Sequence, residues 1–470
     1  MASGRVQRIQ DSVHGLMEFC GMETVVIEVL RTPELQRLRR IRQLGLAQLV
    51  FPGAEHSRFA HSLGAAHLAI RFGRHIREVA REFFIPMLCP DESVVRDLAV
   101  AALCHDLGQG PLSHAWEREI VGDNFDRAAW AKSLDLSADD PLIANLKWHE
   151  LVTQGLLAYQ GGQLHRLLEQ HEEGASQGIR RLLSGHYDIT YLPRLLASDV
   201  DVDRADFLRR DTHQTGVAYG RYDLDWLIST CTLGIETQHD VKRWVLGFDS
   251  RKAVRVVEQF LIARQALYET VYNHKTVRCA EGMVGKLLGR LRKAVQSGIE
   301  FETTKFVKPL MKIIGGSVLS PEELLALDDF SLSVLIDNIA GEAKKDAIAA
   351  DLARRILSRD LFKWVPVSSQ KIAEYLERNN ARADLHEAIK PFCPGESEYY
   401  LLEDKARFRM MSKKSEEKAY LIDGNSVASP AHDHESLRGY EHIEAETRRI
   451  YTIREARDTV KKVIEDRVGN

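Results

Sequence analysis

The chain has 470 residues, of which 44% are hydrophobic and 28% charged, with a formal net charge of −4. That length supports two or three domains, or one large helical domain with appendages, and the near-balanced charge excludes a whole-chain argument for binding nucleic acid or a membrane surface. No apolar run reaches the roughly 18 residues of a spanning helix, the start MASGRVQRIQDS lacks a signal-peptide core, and the six cysteines show no CxxC spacing, so a reduced, cytoplasmic protein is expected.

In chain order, Pro33 to Val50 repeats leucines between arginines and reads as a helix with one apolar stripe and one basic face. A Pro-Gly turn at 52–53 precedes a long helix carrying His61 near its start. Asp91 to Leu107 reads as a helix capped by DES, ending in LCHDLGQGPLSHAWE. The polar stretch 123–140 reads as a loop or insertion over the site. Helical patterns follow at 148–159, 163–172, 192–210 and 251–292, and strand-like segments are few before residue 390. Past Phe301 the pattern stays helical. Beyond Tyr399 it alternates, in EYYLLE, ARFRMMS, KAYLID and RRIYTI, which predicts a small sheet, and REARDTVKKVIED predicts a closing amphipathic helix. The expected architecture is mainly α: a helical core in residues 1–300, a helical subdomain in 301–395 and a small α+β lobe in 396–470.

His61, the adjacent His105 and Asp106, and the acidic stretch SDVDVDRADFLRRD from Ser198 to Asp211 form an inventory of metal ligands. Two imidazoles and two carboxylates suit manganese, iron or zinc, with magnesium reachable through the oxygens. Such a site leaves coordination positions for water and a phosphate. His61 alone reads more simply as a helix cap. His105 and Asp106 follow the apolar run LAVAALC, and burying both without partners would be costly. His114 and Glu117 stand three apart, a spacing that lets a carboxylate orient an imidazole. Asp203, Phe207 and Asp211 fall at i, i+4 and i+8, as do Arg264, Tyr268 and Tyr272, so each trio shares one helix face.

HSRFAHSLG, LCHDLGQGPLSH, KWHE and VDRADFLRRD, in this order, resemble the HD-domain phosphohydrolases, and within them the deoxynucleoside triphosphate triphosphohydrolases. QDSVHG, TPELQRLRRIRQLG, VFPGAEHSRFAHS and YETVYNHKTVRCAE extend the likeness from about Ile9 to Leu287. Some members carry a SAM domain, and none is read here. The resemblance implies an HD-type helical core in which His61, His105, Asp106 and Asp203 hold the metal, although Asp199 and Asp201 sit in a similar local pattern. It implies attack of water on the α-phosphorus, releasing deoxynucleoside and inorganic triphosphate, with His114, Glu117 and His149 in the catalytic set. Arg58, Arg204, Arg264 and Lys275 are the implied phosphate cations, with Gln109 near the α-phosphate and Tyr268 on the same helix as Arg264. Asp211 and Gln43 are the implied sugar contacts, with Tyr272, Leu44 and Phe207 as pocket walls. Any one of these cations, alone, reads as part of a solvated basic face.

Several positions depart from the family pattern. Gln109 stands where histidine is usual, Phe207 where tyrosine is usual, and Arg204 where lysine is frequent, which changes the hydrogen-bond geometry. Arg31 replaces an aspartate that reads guanine in an effector site of the family, so guanine-specific activation is not expected. Gln36 and Arg39 keep polar character there, leaving room for another nucleotide effector. The expected protein is a homo-oligomeric, metal-dependent (deoxy)nucleoside triphosphate triphosphohydrolase, with additional magnesium accompanying the nucleotide. Two competing readings are an HD-type nuclease or nucleotide phosphodiesterase, and a nucleotide-sensing regulator with weak or no catalysis.

Overall fold

Ser57, Asp91 and Asp201 each begin a helix by accepting a backbone N–H three residues on, from Ala60, Val94 and Arg204. The helices they cap, Arg58–Glu82, Glu92–Cys104 and Val202–Thr215, form the centre of a computed structural model that describes residues 6–83, 88–122, 125–238, 240–414 and 417–468. Leu63, Ala66, Ile70 and Gly73 recur at helical spacing and are buried. At Gly64 a Cβ would lie 1.8 Å from the Asp206 carboxylate oxygen, so the missing side chain lets the third helix approach the first.

The chain is mainly α, as expected, but its strands are more numerous than the sequence suggests. Gln7–Asp11 pairs antiparallel with Gly15–Phe19. Cys231–Gln238 pairs antiparallel with Val241–Asp249, and that second strand pairs in parallel with Tyr420–Ile422. Leu401–Arg409 and Glu444–Thr452 form an antiparallel pair whose other edge takes Lys363–Trp364. QRIQD offers one apolar residue in five, too weak a pattern to read as a strand. The expected terminal helix is present at Arg457–Val468.

Three expectations are corrected, two of them helices and one a loop. Pro33 to Val50 is not continuous: the helix ends at Arg37, a 3-10 turn covers Leu38–Arg40, Ile41 is extended, and Gly45 takes φ +52°. The break lets the 41–44 backbone run beside 56–58, where Arg58 N donates to Ile41 O and Gln43 N to His56 O. The stretch 192–210 divides into a 3-10 turn at Leu192–Leu195 and the helix that Asp201 caps. The stretch 123–140 contains the helix Arg127–Ser133, whose buried Trp130 packs edge-on against Trp148 at 5.4 Å; Asp123 and Asn124 lie outside the described residues. This segment is core beside the Trp148–Ala158 helix, because Trp130, Leu134 and Leu136 are all buried.

One continuous buried cluster runs from Met17 to Ile464, so the C-terminal strands share the core of the N-terminal helices. Among the described residues no helix is long and apolar enough to cross a membrane.

Candidate active site

The three central helices bring His61, His105 and Asp203 together. His61 Nε2 lies 2.9 Å from Asp203 Oδ1 and 3.3 Å from His105 Nε2, and His105 Nε2 lies 3.5 Å from the same oxygen. The far side of each ring is committed. His61 Nδ1 donates to Asp206 Oδ2 at 2.8 Å, and His105 Nδ1 donates to the carbonyl of Ala102 at 2.7 Å. Both Nε2 lone pairs therefore face the Asp203 oxygen, an arrangement that only a shared cation or proton satisfies. Burial disfavours charge on His61, but Asp203 and Asp206 overcome it and raise its imidazole to about 10. Asp203 is held well below the ordinary carboxylate range against burial, by His105 and His61. The donor set and its fixed tautomers fit a divalent metal.

Asp106 stands beside this cluster, with Oδ2 at 3.5 Å from His105 Nε2 and 3.9 Å from His61 Nε2. Arg58 Nη1 donates to that oxygen, and Arg58 Nε donates to Ser113 Oγ at 2.9 Å. Ser113 and its neighbour Leu112 have φ of 54° and 53°, a left-handed conformation that costs energy in residues with a Cβ. The turn is strained where it meets the arginine. Asp199 and Asp201 are engaged elsewhere: Asp199 accepts Ser412 N, and Asp201 caps its helix and accepts Ser198 N.

A cavity of ≈ 260 Å³ opens beside the metal cluster. Arg58 and Phe207 line it and border the cluster, Arg58 through Asp106 and the Phe207 ring at 6.4 Å from His61 and 6.1 Å from Tyr272. In its wall, both oxygens of Asp211 are engaged, by Tyr272 OH at 2.6 Å and His56 Nε2 at 2.8 Å. Burial and Asp211 push the Tyr272 hydroxyl well above its usual range. The buried Oε1 of Gln43 has no hydrogen-bond partner among the described residues, so it can accept from a ligand.

Gln43, Leu44, Arg58, Phe207, Asp211, Tyr268 and Tyr272 thus line one cavity. Four further expected contacts are not in the lining of this cavity. Arg204 bonds Asp201 and the Ser198 carbonyl, and Arg264 donates to Met410 O at 3.2 Å and faces Asp199. Gln109 is buried, with Oε1 unpartnered among the described residues. Lys275 lines a second cavity, its Nζ 4.8 Å from the Trp364 ring centre. Glu117 sits in a π-helical turn, and its Oε2 accepts from His149 Nδ1 at 2.7 Å, a pairing that the His114–Glu117 spacing does not suggest. The His114 side chain lies outside the described residues.

Sequence reasoning missed the support of His61. Asp206 also accepts from His14 Nε2 at 2.7 Å and from Arg210, which in turn reaches Asp11. Asp206 is visible in VDRADFLRRD as one turn beyond Asp203, and His14 and Asp11 stand in QDSVHG, but nothing local connects the two motifs. His56, Arg118, Arg278 and Glu281 were missed as well.

Comparison with known proteins agrees with this geometry. The HD domain model matches residues 58–143, and the model described as HD associated region matches 244–468. An uncharacterized protein of Bacillus subtilis, YwfO, is 29% identical over 369 residues, covering 78% of this chain and 74% of that one. A deoxynucleoside triphosphate triphosphohydrolase SAMHD1 homolog of Dictyostelium discoideum is 28% identical over 371 residues, 77% of this chain and 61% of that protein, so the chain spans less than two thirds of that relative. The crystal structure of a phosphohydrolase from Bacteroides thetaiotaomicron shares the fold, with a TM-score of 0.72 over 96% of this chain and all of that one at 22% identity. Motif order, ligand geometry and these matches place the chain in the HD-domain family, among relatives of the deoxynucleoside triphosphate triphosphohydrolases.

Proposed function

We propose that the protein hydrolyses (deoxy)nucleoside triphosphates to (deoxy)nucleoside and inorganic triphosphate with a divalent metal held by His61, His105, Asp106 and Asp203. The observation that carries this reading is the shared wall: Arg58 binds Asp106 of the cluster and lines a cavity that also holds the Asp211–Tyr272 pair. A cation-binding centre, a phosphate-binding guanidinium and a hydroxyl-reading pair are then in one place.

Manganese, iron or zinc suits the ligand set. A bound metal supplies a Lewis acid and a more acidic water. Arg58 stabilises charge on the α-phosphate, and its fixed contact to Ser113 keeps the guanidinium oriented without reorganisation. A water oxygen forms a bond to the α-phosphorus while the bond to the 5′ oxygen breaks. His149 carries the proton for that leaving oxygen: Glu117 holds Nδ1–H, which leaves proton exchange to Nε2. Asp211 and Tyr272 meet the sugar, with Phe207 and Leu44 closing the wall. A nucleotide effector and a homo-oligomer belong to the same reading.

Incubating the protein with each dNTP and NTP, with Mn²⁺ or Mg²⁺, and separating the products tests it. Inorganic triphosphate and nucleoside are expected. Orthophosphate or no product counts against it.

A further inference from the structure

A cavity of ≈ 380 Å³ lies at the C-terminal end of the helix Val202–Thr215, where its last turn meets the turn between the first two strands and the loop after Gly216. It shares no lining residue with the catalytic cavity, and its volume is in the range of ligand pockets, which begin at about 300 Å³. Two glycines shape it. Gly216 ends the helix at φ +76°, and at Gly220 a Cβ would lie 1.8 Å from Thr212 Oγ1 and 2.7 Å from the Leu208 carbonyl oxygen. The loop therefore folds back onto the helix and brings Arg221 into the same cavity as Arg209 and His213. No carboxylate lies in that lining. Among the described residues, none of these three side chains makes a hydrogen bond or an ion pair. Their neighbours differ: Arg210 binds Asp206 and Asp11, and Asp225, a carboxylate whose charge Arg209 also influences, accepts from Arg71 at 2.5 Å. The helix end does not occupy the cations either, since the carbonyls of Leu208, Asp211 and Thr212 accept from Thr212 Oγ1, Thr215 Oγ1 and Gly216 N. The backbone N–H groups of Val217, Gly220 and Arg221 likewise have no hydrogen-bond partner among the described residues. Converging cations repel one another, and an anion among them reverses the sign of that interaction.

We propose that this cavity is a second ligand site, separate from the catalytic one, and that it takes a small phosphate-bearing anion. Each guanidinium presents forked N–H donors that match two oxygens of one phosphate group, and two of them can hold neighbouring phosphates. The His213 ring adds a donor, and the loop N–H groups add more from the backbone. The strand turn at Ser12 closes one side, where Gln214 Nε2 donates to Ser12 Oγ at 3.4 Å. A nucleic-acid strand needs a continuous groove with rings on which its bases stack. Here the Tyr222 ring is buried, with its hydroxyl on the Ala205 carbonyl, so the lining suits a small ion and not a polymer.

Calorimetric titration with inorganic triphosphate, without added metal, tests this on wild type, Arg209→Gln, Arg221→Gln, the double variant and Arg209→Lys, and it does not depend on turnover. The catalytic cavity carries Arg58 and a further cavity carries Lys275, so the site is identified by the binding step that the variants remove. Wild type should bind triphosphate, and each glutamine variant should weaken one step by about tenfold or more, the worth of one charged hydrogen bond. The double variant should lose that step and keep the thermal melting of wild type. Arg209→Lys should recover part of what Arg209→Gln loses, which a merely structural role for the side chain would not produce; if the glutamine variants melt early, this recovery decides. No triphosphate binding by wild type at millimolar concentration, glutamine variants that bind as wild type does, or a lysine variant no better than glutamine overturns the proposal. A single-stranded oligonucleotide that displaces triphosphate from the same step at lower concentration overturns the choice of a small anion.

Discussion

Asp329 Oδ1 accepts the backbone N–H of Leu112 at 2.8 Å, and its second oxygen accepts the backbone N–H of Arg42 at the same distance. One buried carboxylate thus ties two walls of the cavity: the left-handed turn that presents Ser113 to Arg58, and the segment that leads into Gln43 and Leu44. Asp329 begins the helix Asp329–Ala340, so a distant part of the chain sets the shape of the site. Asp329→Ala leaves the buried Leu112 N–H and the half-buried Arg42 N–H without their acceptor, at about 1–3 kcal/mol for the first and less for the second, and should lower unfolding free energy by roughly 1–4 kcal/mol in urea titrations. Asp329→Asn keeps one acceptor and should fall between. An alanine variant within roughly 0.5 kcal/mol of wild type, the usual range for neutral surface changes, would sink this account.

Asp97, on the helix that delivers His105, lends stability a pH dependence of its own. Burial raises its carboxyl to about 6, against the opposing pull of Arg96, whose Nε donates to it at 2.8 Å. The folded pKa lies above the ordinary 3.8. Between pH 4 and 6 the unfolded chain ionises this group while the folded one keeps its proton, so the contribution to stability declines as pH rises through that window and is constant above it. The full swing is at most about 3 kcal/mol. Asp97→Asn should remove the slope and gain more relative to wild type at pH 7.5 than at pH 4.5, as read by urea denaturation at both. Arg96 keeps Glu172 at 2.7 Å, which limits the loss from the missing partner. The same effect at both pH values would contradict the assignment.

Glu117→Gln should retain a hydrogen bond to His149 Nδ1 while losing the carboxylate that fixes which ring nitrogen carries the proton. Proton transfer of this kind contributes roughly 10²–10⁴-fold to rate. A fall of at least tenfold in kcat with KM nearly constant is expected in steady-state assays of triphosphate release, since the pair is assigned to the leaving-group step and not to binding. A variant in which KM rises and kcat holds would move Glu117 into substrate binding.

The features legible in the sequence were those written in adjacent residues. His105 and Asp106 are neighbours at the end of an apolar run, His61 follows a clear cap, and Asp203, Phe207 and Asp211 repeat at helix spacing; each required only local periodicity. The connections that orient them join motifs far apart in the chain. Asp206 meets His14 across 192 residues, and Asp329 meets Leu112 across 217. Neither pairing leaves a periodic trace, because a hydrogen bond constrains one atom of each partner and nothing around it. The break at 38–45 was hidden for another reason: Leu38 and Ile41 are buried as a helix stripe would be, but by a 3-10 turn and an extended residue. Burial pattern alone does not distinguish the two.

Asp206 decides how firmly the metal site is built. It accepts from His61 Nδ1, from His14 Nε2 and from two nitrogens of Arg210, and it is fully buried. Burial works against its charge, but Arg210 and the two imidazoles hold it well below the usual carboxylate range. Asp206→Ala removes the counter-charge of a buried guanidinium, which costs about 3–5 kcal/mol when one partner of such a pair is lost; Asp11 remains to share the Arg210 charge and softens the loss. Asp206→Asn keeps the shape and one acceptor while releasing the His61 tautomer, and metal affinity should fall about 10–100-fold, as it does when a carboxylate behind a ligating histidine is removed. Titrating Mn²⁺ into chelator-treated wild type and Asp206→Asn, followed by thermal denaturation, separates the effects. Wild type should gain melting temperature on adding metal, and the variant should need a higher concentration for the same gain. Asp203→Ala should gain none. If chelated and metal-loaded wild type melt alike, His61, His105 and Asp203 do not form a metal centre, and the shared proton is what holds them together.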